Sequence, residues 1–172
     1  MRTGDSGCAA LVAATALLVC AAGPSPAADD AFGRWRQRPN SCVVEHGAAP
    51  KLRCQELQLD QRSPEVLRLS VQAEAQEPGE LIRLTLVGAV AEGSQPMVCR
   101  NGSCSLKRPL SVSLVSLSLA RFDGRGLVQG LPRTWSVQGS CQIDPRDLRC
   151  EARNGSAGDV GEPPWTINAQ LR

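Results

Sequence analysis

The sequence predicts an all-β domain: an antiparallel β-sandwich or small barrel of about eight to nine short strands with disulfide-stapled hairpins. Three observations predict it. Apolar residues alternate with polar ones along most of the chain, the period of two that marks one face of a strand. Turn signals separate the alternating runs at Pro78-Gly79, Asn101-Gly102, Asp123-Gly124 and Asp144-Pro145. Six cysteines beyond the leader lie at short spacings, the arithmetic of a disulfide framework in an exported chain. No segment outside the leader shows an apolar stripe at helical spacing with caps.

Residues 1–27 read as a secretory signal. Arg2 supplies a basic start, Cys8 to Ala22 is apolar but for Thr15, and Ser25-Pro26-Ala27 places small residues at a cleavage site. The apolar run is shorter than the ~20 residues a bilayer span requires. Cleavage falls after Ala27 or Ala28, with a retained leader as the alternative. Lipid attachment at Cys20 is a weaker reading, because Val19 is large where a small residue is expected. Residues 28–172 are then one exported domain, periplasmic or extracellular, with no transmembrane segment.

Composition narrows the partners. The formal net charge is +2 and the basic residues are dispersed, so strong long-range attraction to nucleic acid or anionic lipid is not expected. Aromatic residues make up 3% of the chain and tyrosine is absent. The core must therefore be aliphatic, which raises the value of covalent cross-links.

Taken in order, Leu67, Leu69, Val71 and Ala73 share one strand face, as do Ile82, Leu84 and Leu86. In PLSVSLVSLSLARF the apolar parity changes between Leu110, Val112, Leu114 and Val115, Leu117, Leu119. A β-bulge at Leu114-Val115 would keep both halves facing the core. Trp165, Ile167, Ala169 and Leu171 form the last such face. A faint repeat, with a Trp, then a Cys, then Leu-Arg-Cys, links the stretches around Trp35 and Trp135. Duplication of a stapled hairpin and coincidence explain it equally well.

Local pairing of the cysteines is the expectation, one of the 15 connectivities that six cysteines allow and that spacing alone does not exclude. Asn101-Gly102 suits a two-residue type I′ turn, which sets Cys99 opposite Cys104 at a non-hydrogen-bonded pair ~4.5 Å across. A turn centred on Pro145-Arg146 sets Cys141 opposite Cys150 by the same parity. Cys42 and Cys54 pair by elimination. Zinc is disfavoured, because the C-x4-C spacing is not repeated and the chain has one histidine.

Chemistry is sparse. His46 lacks the neighbouring motif of a serine, cysteine or zinc hydrolase and reads as a solvated loop residue. DGRGLVQG reads as a turn rather than a phosphate loop, since Leu131-Pro132 stops the chain before any helix. Trp135 and Trp165 follow the core parity, whereas Trp35, between Arg34 and Arg36, reads as the exposed tryptophan. The expected function is therefore a non-enzymatic binding or structural role at the cell envelope, without cofactor or metal. Its partner is an unspecified protein or glycan, and Arg34, Trp35, Arg36 and His46 are the candidate contacts. The alternatives are a carbohydrate-binding module using exposed tryptophans, and a secreted hydrolase centred on His46.

Overall fold

The computed structural model describes residues 30–155 and 162–172. The leader, with Cys8, Cys20 and its cleavage site, lies outside the described residues, as does most of the loop after Asn154. Eleven strands run in order: β1 (Gly33–Gln37), β2 (Ser41–His46), β3 (Leu52–Ser63), β4 (Val66–Glu74), β5 (Leu81–Val90), β6 (Val98–Arg100), β7 (Ser103–Ser105), β8 (Leu110–Phe122), β9 (Arg133–Ile143), β10 (Asp147–Asn154) and β11 (Trp165–Gln170). No helix occurs among the described residues, so none there is long and apolar enough to cross a membrane.

Eight strands close a barrel. The wall runs β2-β11-β10-β9-β8-β5-β4-β3, and β3 returns to β2. All eight contacts are antiparallel. Successive strands of the wall are neighbours in the chain, with the β6–β7 hairpin inserted between β5 and β8. Closure comes from the two ends of the barrel sequence: Ser41–His46 lies against Trp165–Gln170 in six register pairs. Such closure removes the free sheet edges that would template aggregation. The strands outside the barrel are β1, antiparallel on β3, then β7, parallel to β1 at Arg34↔Ser103, and β6 beyond it.

Alternation fills the interior with aliphatic side chains. Leu57 and Leu59, Leu67 and Leu69, Leu84 and Leu86, and Leu110 and Leu117 are all buried. A barrel of eight strands is just wide enough for such side chains to fill, or to leave room for one small ligand. The bulge occurs where the parity changes: Leu114 pairs with Gly88 and Gly139, Ser116 with Val87 and Ser136, and Val115 is the extra residue. Its side chain, however, is 57% exposed. Leu117 resumes the inward row, so Val115 belongs to neither inward set.

All three disulfides connect as the spacing predicts: Cys42–Cys54, Cys99–Cys104 and Cys141–Cys150. Asn101 and Gly102 take φ of 51° and 74°, the two left-handed centres of a type I′ turn. At the second hairpin Asp144 accepts from the N–H groups of Arg146 and Asp147 at 2.9 Å and sets the turn. Three bridges of this kind belong to an oxidising, exported compartment.

Candidate functional site

At one end of the barrel the inward rows change character. On β2 the row runs from Val44 to His46. On β8 it runs from Leu117 through Leu119 to Arg121, just inside the strand end. On β5 it runs outward from Leu84 and Ile82 to Glu80, just before the strand. The rows are apolar within the barrel and polar at its rim. Between them lies a cavity of about 350 Å³. Val44, Leu52, Ala75, Ile82, Leu119 and Trp165 form its apolar wall, and His46, Glu77, Glu80 and Arg121 stand among the polar groups. Beneath it Leu84, Leu86, Leu117 and Ile167 are at most 1% exposed. The space is thus a blind pocket at the mouth rather than a channel.

Barrel closure positions the aromatic side of this pocket. His46 and Trp165 are direct register partners, and their rings stack at 4.1 Å between centroids with planes 11° apart. Trp135 tilts against Trp165 at 6.3 Å, and the Arg133 guanidinium lies 5.2 Å over the Trp135 ring. His46 Nε2 is buried without a hydrogen-bond partner among the described residues, and the nearest carboxylate, Glu162, is 4.0 Å away. Gln129 Nε2 donates to Glu80 Oε1 at 2.9 Å and fixes that carboxylate at the rim.

This arrangement corrects one expectation. His46 is the last residue of a strand, packed on an indole, and not a solvated loop residue. Trp135 and Trp165 keep the core parity expected of them and are partly buried against the core, with Trp165 reaching the pocket. The rim also contains Arg121, which sequence reasoning passed over, and Glu77 and Glu80, which in the sequence read only as a solvated hairpin connection. Following each inward parity row to the end of its strand would have found Arg121, and one step beyond it Glu80.

The other candidates lie elsewhere and on two faces. Trp35 turns toward the core and is partly buried against it, contrary to the expectation that it is the exposed tryptophan. Arg34 and Arg36 point outward onto β3. Arg34 Nε donates to Asp60 Oδ1 at 2.6 Å; Arg36 donates to Gln58 Oε1 at 2.7 Å and pairs with Glu56 at 3.2 Å. Those two guanidiniums are held by the sheet's own acids and amide. The structure does not bring Arg34, Trp35 and Arg36 to the pocket that contains His46.

Burial works against the charge of Asp60, but hydrogen bonds from Arg34 and Gln58 and the charges of Arg34 and Arg68 outweigh it and hold the carboxyl below its ordinary value. A lowered folded-state pKa adds stability above the unfolded value near 4, and that stability is lost as pH falls through the folded value. Asp60→Asn is therefore expected to destabilise the protein by about 1–2 kcal/mol at pH 7, a modest figure because Arg34 is half-exposed and screened. Urea unfolding of parent and variant at neutral and acid pH checks it: the gap should close below about pH 4.

Chemically, the pocket can bind. Among the described residues its lining contains no serine, threonine or cysteine, so none of these offers His46 a hydroxyl or thiol to activate. One face of the Trp165 indole is covered by His46, so that face is closed to a sugar ring. Among the described residues no group of three or more His, Cys, Asp and Glu side chains suits a metal ion. No family model, no curated protein and no solved structure matches the chain.

Proposed function

We propose that this chain is an exported, non-enzymatic binding domain whose barrel mouth takes a small ligand with an apolar body and a polar head. The observation that carries the reading is the pocket of about 350 Å³, apolar inside and rimmed by His46, Glu77, Glu80 and Arg121. Ligand pockets run from roughly 300 to 1,000 Å³ and combine an apolar lining with a few converging polar groups. This volume fits a ligand at the small end of that range. Two rim carboxylates beside one guanidinium suit a head that donates hydrogen bonds to Glu77 and Glu80 and accepts from Arg121.

N-phenyl-1-naphthylamine, a neutral apolar dye with one N–H donor, is the test probe. Its fluorescence should rise saturably with the parent protein. Leu119→Trp fills the pocket from its wall and should weaken dye binding at least about tenfold, equivalent to ~1.4 kcal/mol. Leu119 is only partly buried, so the melting temperature should change little. Absence of saturable binding to the parent, or equal affinity in a folded Leu119→Trp protein, would overturn the reading.

A further inference from the structure

On the outer face of β1, β3, β4 and β5, alternation sets polar side chains in three cross-strand rows, opposite the buried Leu57, Leu59, Leu69 and Val71. Arg34, Asp60 and Arg68 make the first row. Arg36, Gln58 and Ser70 make the second. Glu56, Gln72 and Arg83 make the third. The rows line a cavity of about 530 Å³ with no apolar residue among the described residues of its wall. This face lies on the outside of the barrel, away from the pocket at the mouth.

The charges in this cavity do not balance. Four guanidiniums meet two carboxylates, so two positive charges are left over. Arg34 and Arg36 hold the acids, Asp60 at 2.6 Å and Glu56 at 3.2 Å, and Gln58 donates to the other Asp60 oxygen at 2.9 Å. Arg68 and Arg83 have no carboxylate at ion-pair distance among the described residues. Arg68 Nε is buried without a hydrogen-bond partner among those residues, and a buried donor left so is costly. The Arg83 guanidinium lies 4.7 Å from the centre of the Phe122 ring, a contact that neutralises no charge. Arg83 is the register partner of Gln72, four residues along β4 from Arg68. At the rise of a strand that separates the two uncompensated arginines by about 13 Å. Between them stand the amides of Gln58 and Gln72 and the hydroxyl of Ser70. A ligand that matches is long, carries carboxylates at separated points and has hydroxyls between them. Guanidiniums bind carboxylates by charge-assisted, paired hydrogen bonds, and ligand hydroxyls both donate to and accept from side-chain amides.

We infer that this outer face is a second binding site, for a linear acidic oligosaccharide. Tetragalacturonate is the probe, titrated into the full chain by calorimetry at constant ionic strength. Neutral maltotetraose, which has hydroxyls without charge, should show no binding. Tetraglutamate, which has carboxylates without hydroxyls, should bind at least about tenfold more weakly than tetragalacturonate. Arg68→Gln with Arg83→Gln should lower the affinity for tetragalacturonate at least about tenfold, with the melting temperature of the free protein unchanged. Arg83→Gln alone, at an exposed position, should weaken it at least about threefold. Arg149 is exposed on β10, four strands from β4 in either direction around the wall. Arg149→Gln also removes a positive charge but should leave the affinity within about twofold, because charges so far apart are screened. Absence of saturable tetragalacturonate binding to the parent overturns the inference, and so does equal affinity in the folded double variant. Tetraglutamate binding as tightly as tetragalacturonate also overturns it, an outcome that assigns the face to an acidic protein segment.

Discussion

Replacing Cys42 and Cys54 together by alanine is expected to destabilise this protein more than removing either of the other two bridges, by about 3–5 kcal/mol. The reason is the seam between β2 and β3. On its other side β2 is bound to β11 by six register pairs, but to β3 by only two, Val43↔Arg53 and Val44↔Leu52. The β1–β3 pairing begins further along, at Gln37↔Leu57, and β3 is irregular between Cys54 and Glu56. Cys42–Cys54 therefore crosses the wall where neither β1 nor β2 bonds regularly to β3, and its Cα atoms are 5.0 Å apart. Cys141–Cys150 instead joins strands that already share seven register pairs. Loop closure alone separates the three bridges weakly: spans of 12, 5 and 9 residues differ by less than ~1 kcal/mol in the chain-entropy model. Thermal melts of the three paired alanine variants decide between the accounts. A fall of roughly 10 °C for the seam variant, with loss of amide protection at Val44 and Leu52, supports the seam. Three costs within ~1 kcal/mol of one another would mean that only chain entropy is at work.

Much of this architecture was legible because period two and turn chemistry are local. The hairpin at Asn101-Gly102, the Asp144 turn and the parity change at Leu114-Val115 each follow from a few adjacent residues. Which strands close the wall does not. Alternation tells which face of β2 and β11 is buried, but their pairing joins residues at opposite ends of the domain, so a sandwich and a barrel remained equally compatible with the pattern. The pocket depends on the same long-range pairing. His46 meets Trp165 only because β11 returns beside β2, and no local signal links them. Trp35 is a different kind of miss. Arginines on both sides made it look exposed, yet in a strand the residues at i−1 and i+1 point away from residue i. Arg34 and Arg36 facing solvent is thus an argument for burying Trp35, as the structure has it. Val115 failed for a related reason. A bulge leaves its extra residue unpaired, and an apolar identity alone does not turn that residue inward.

Gly139→Ala should cost roughly 3–5 kcal/mol, among the larger effects a single methyl group can have. A Cβ built on Gly139 falls 2.0 Å from the carbonyl oxygen of Glu151 and 2.9 Å from the Cα of Ala152. The obstructing atoms are backbone of the neighbouring strand, so no rotamer change relieves the overlap. Gly88 meets the same kind of obstacle, its Cβ position lying 2.4 Å from the Ser113 carbonyl oxygen. These positions form one line across the wall, with Gly88 opposite Leu114, Leu114 opposite Gly139, and Gly139 opposite Ala152. The line passes through the bulge at Val115. Closing eight strands requires the sheet to coil sharply somewhere, and bulges with adjacent glycines are how strands bend and approach one another closely. A corner of the barrel at Gly88 and Gly139 is what these close approaches beside a bulge predict. Gly124 is the control: a Cβ there would meet its nearest neighbour, the Gly79 carbonyl oxygen, at 3.7 Å, an ordinary contact. Its substitution by alanine should stay within about 0.5 kcal/mol. Denaturant unfolding of Gly139→Ala, Gly88→Ala and Gly124→Ala tests the corner directly. Equal stability of all three would show that the wall relaxes freely at the bulge, and that its curvature is set by side-chain packing rather than by close backbone approach.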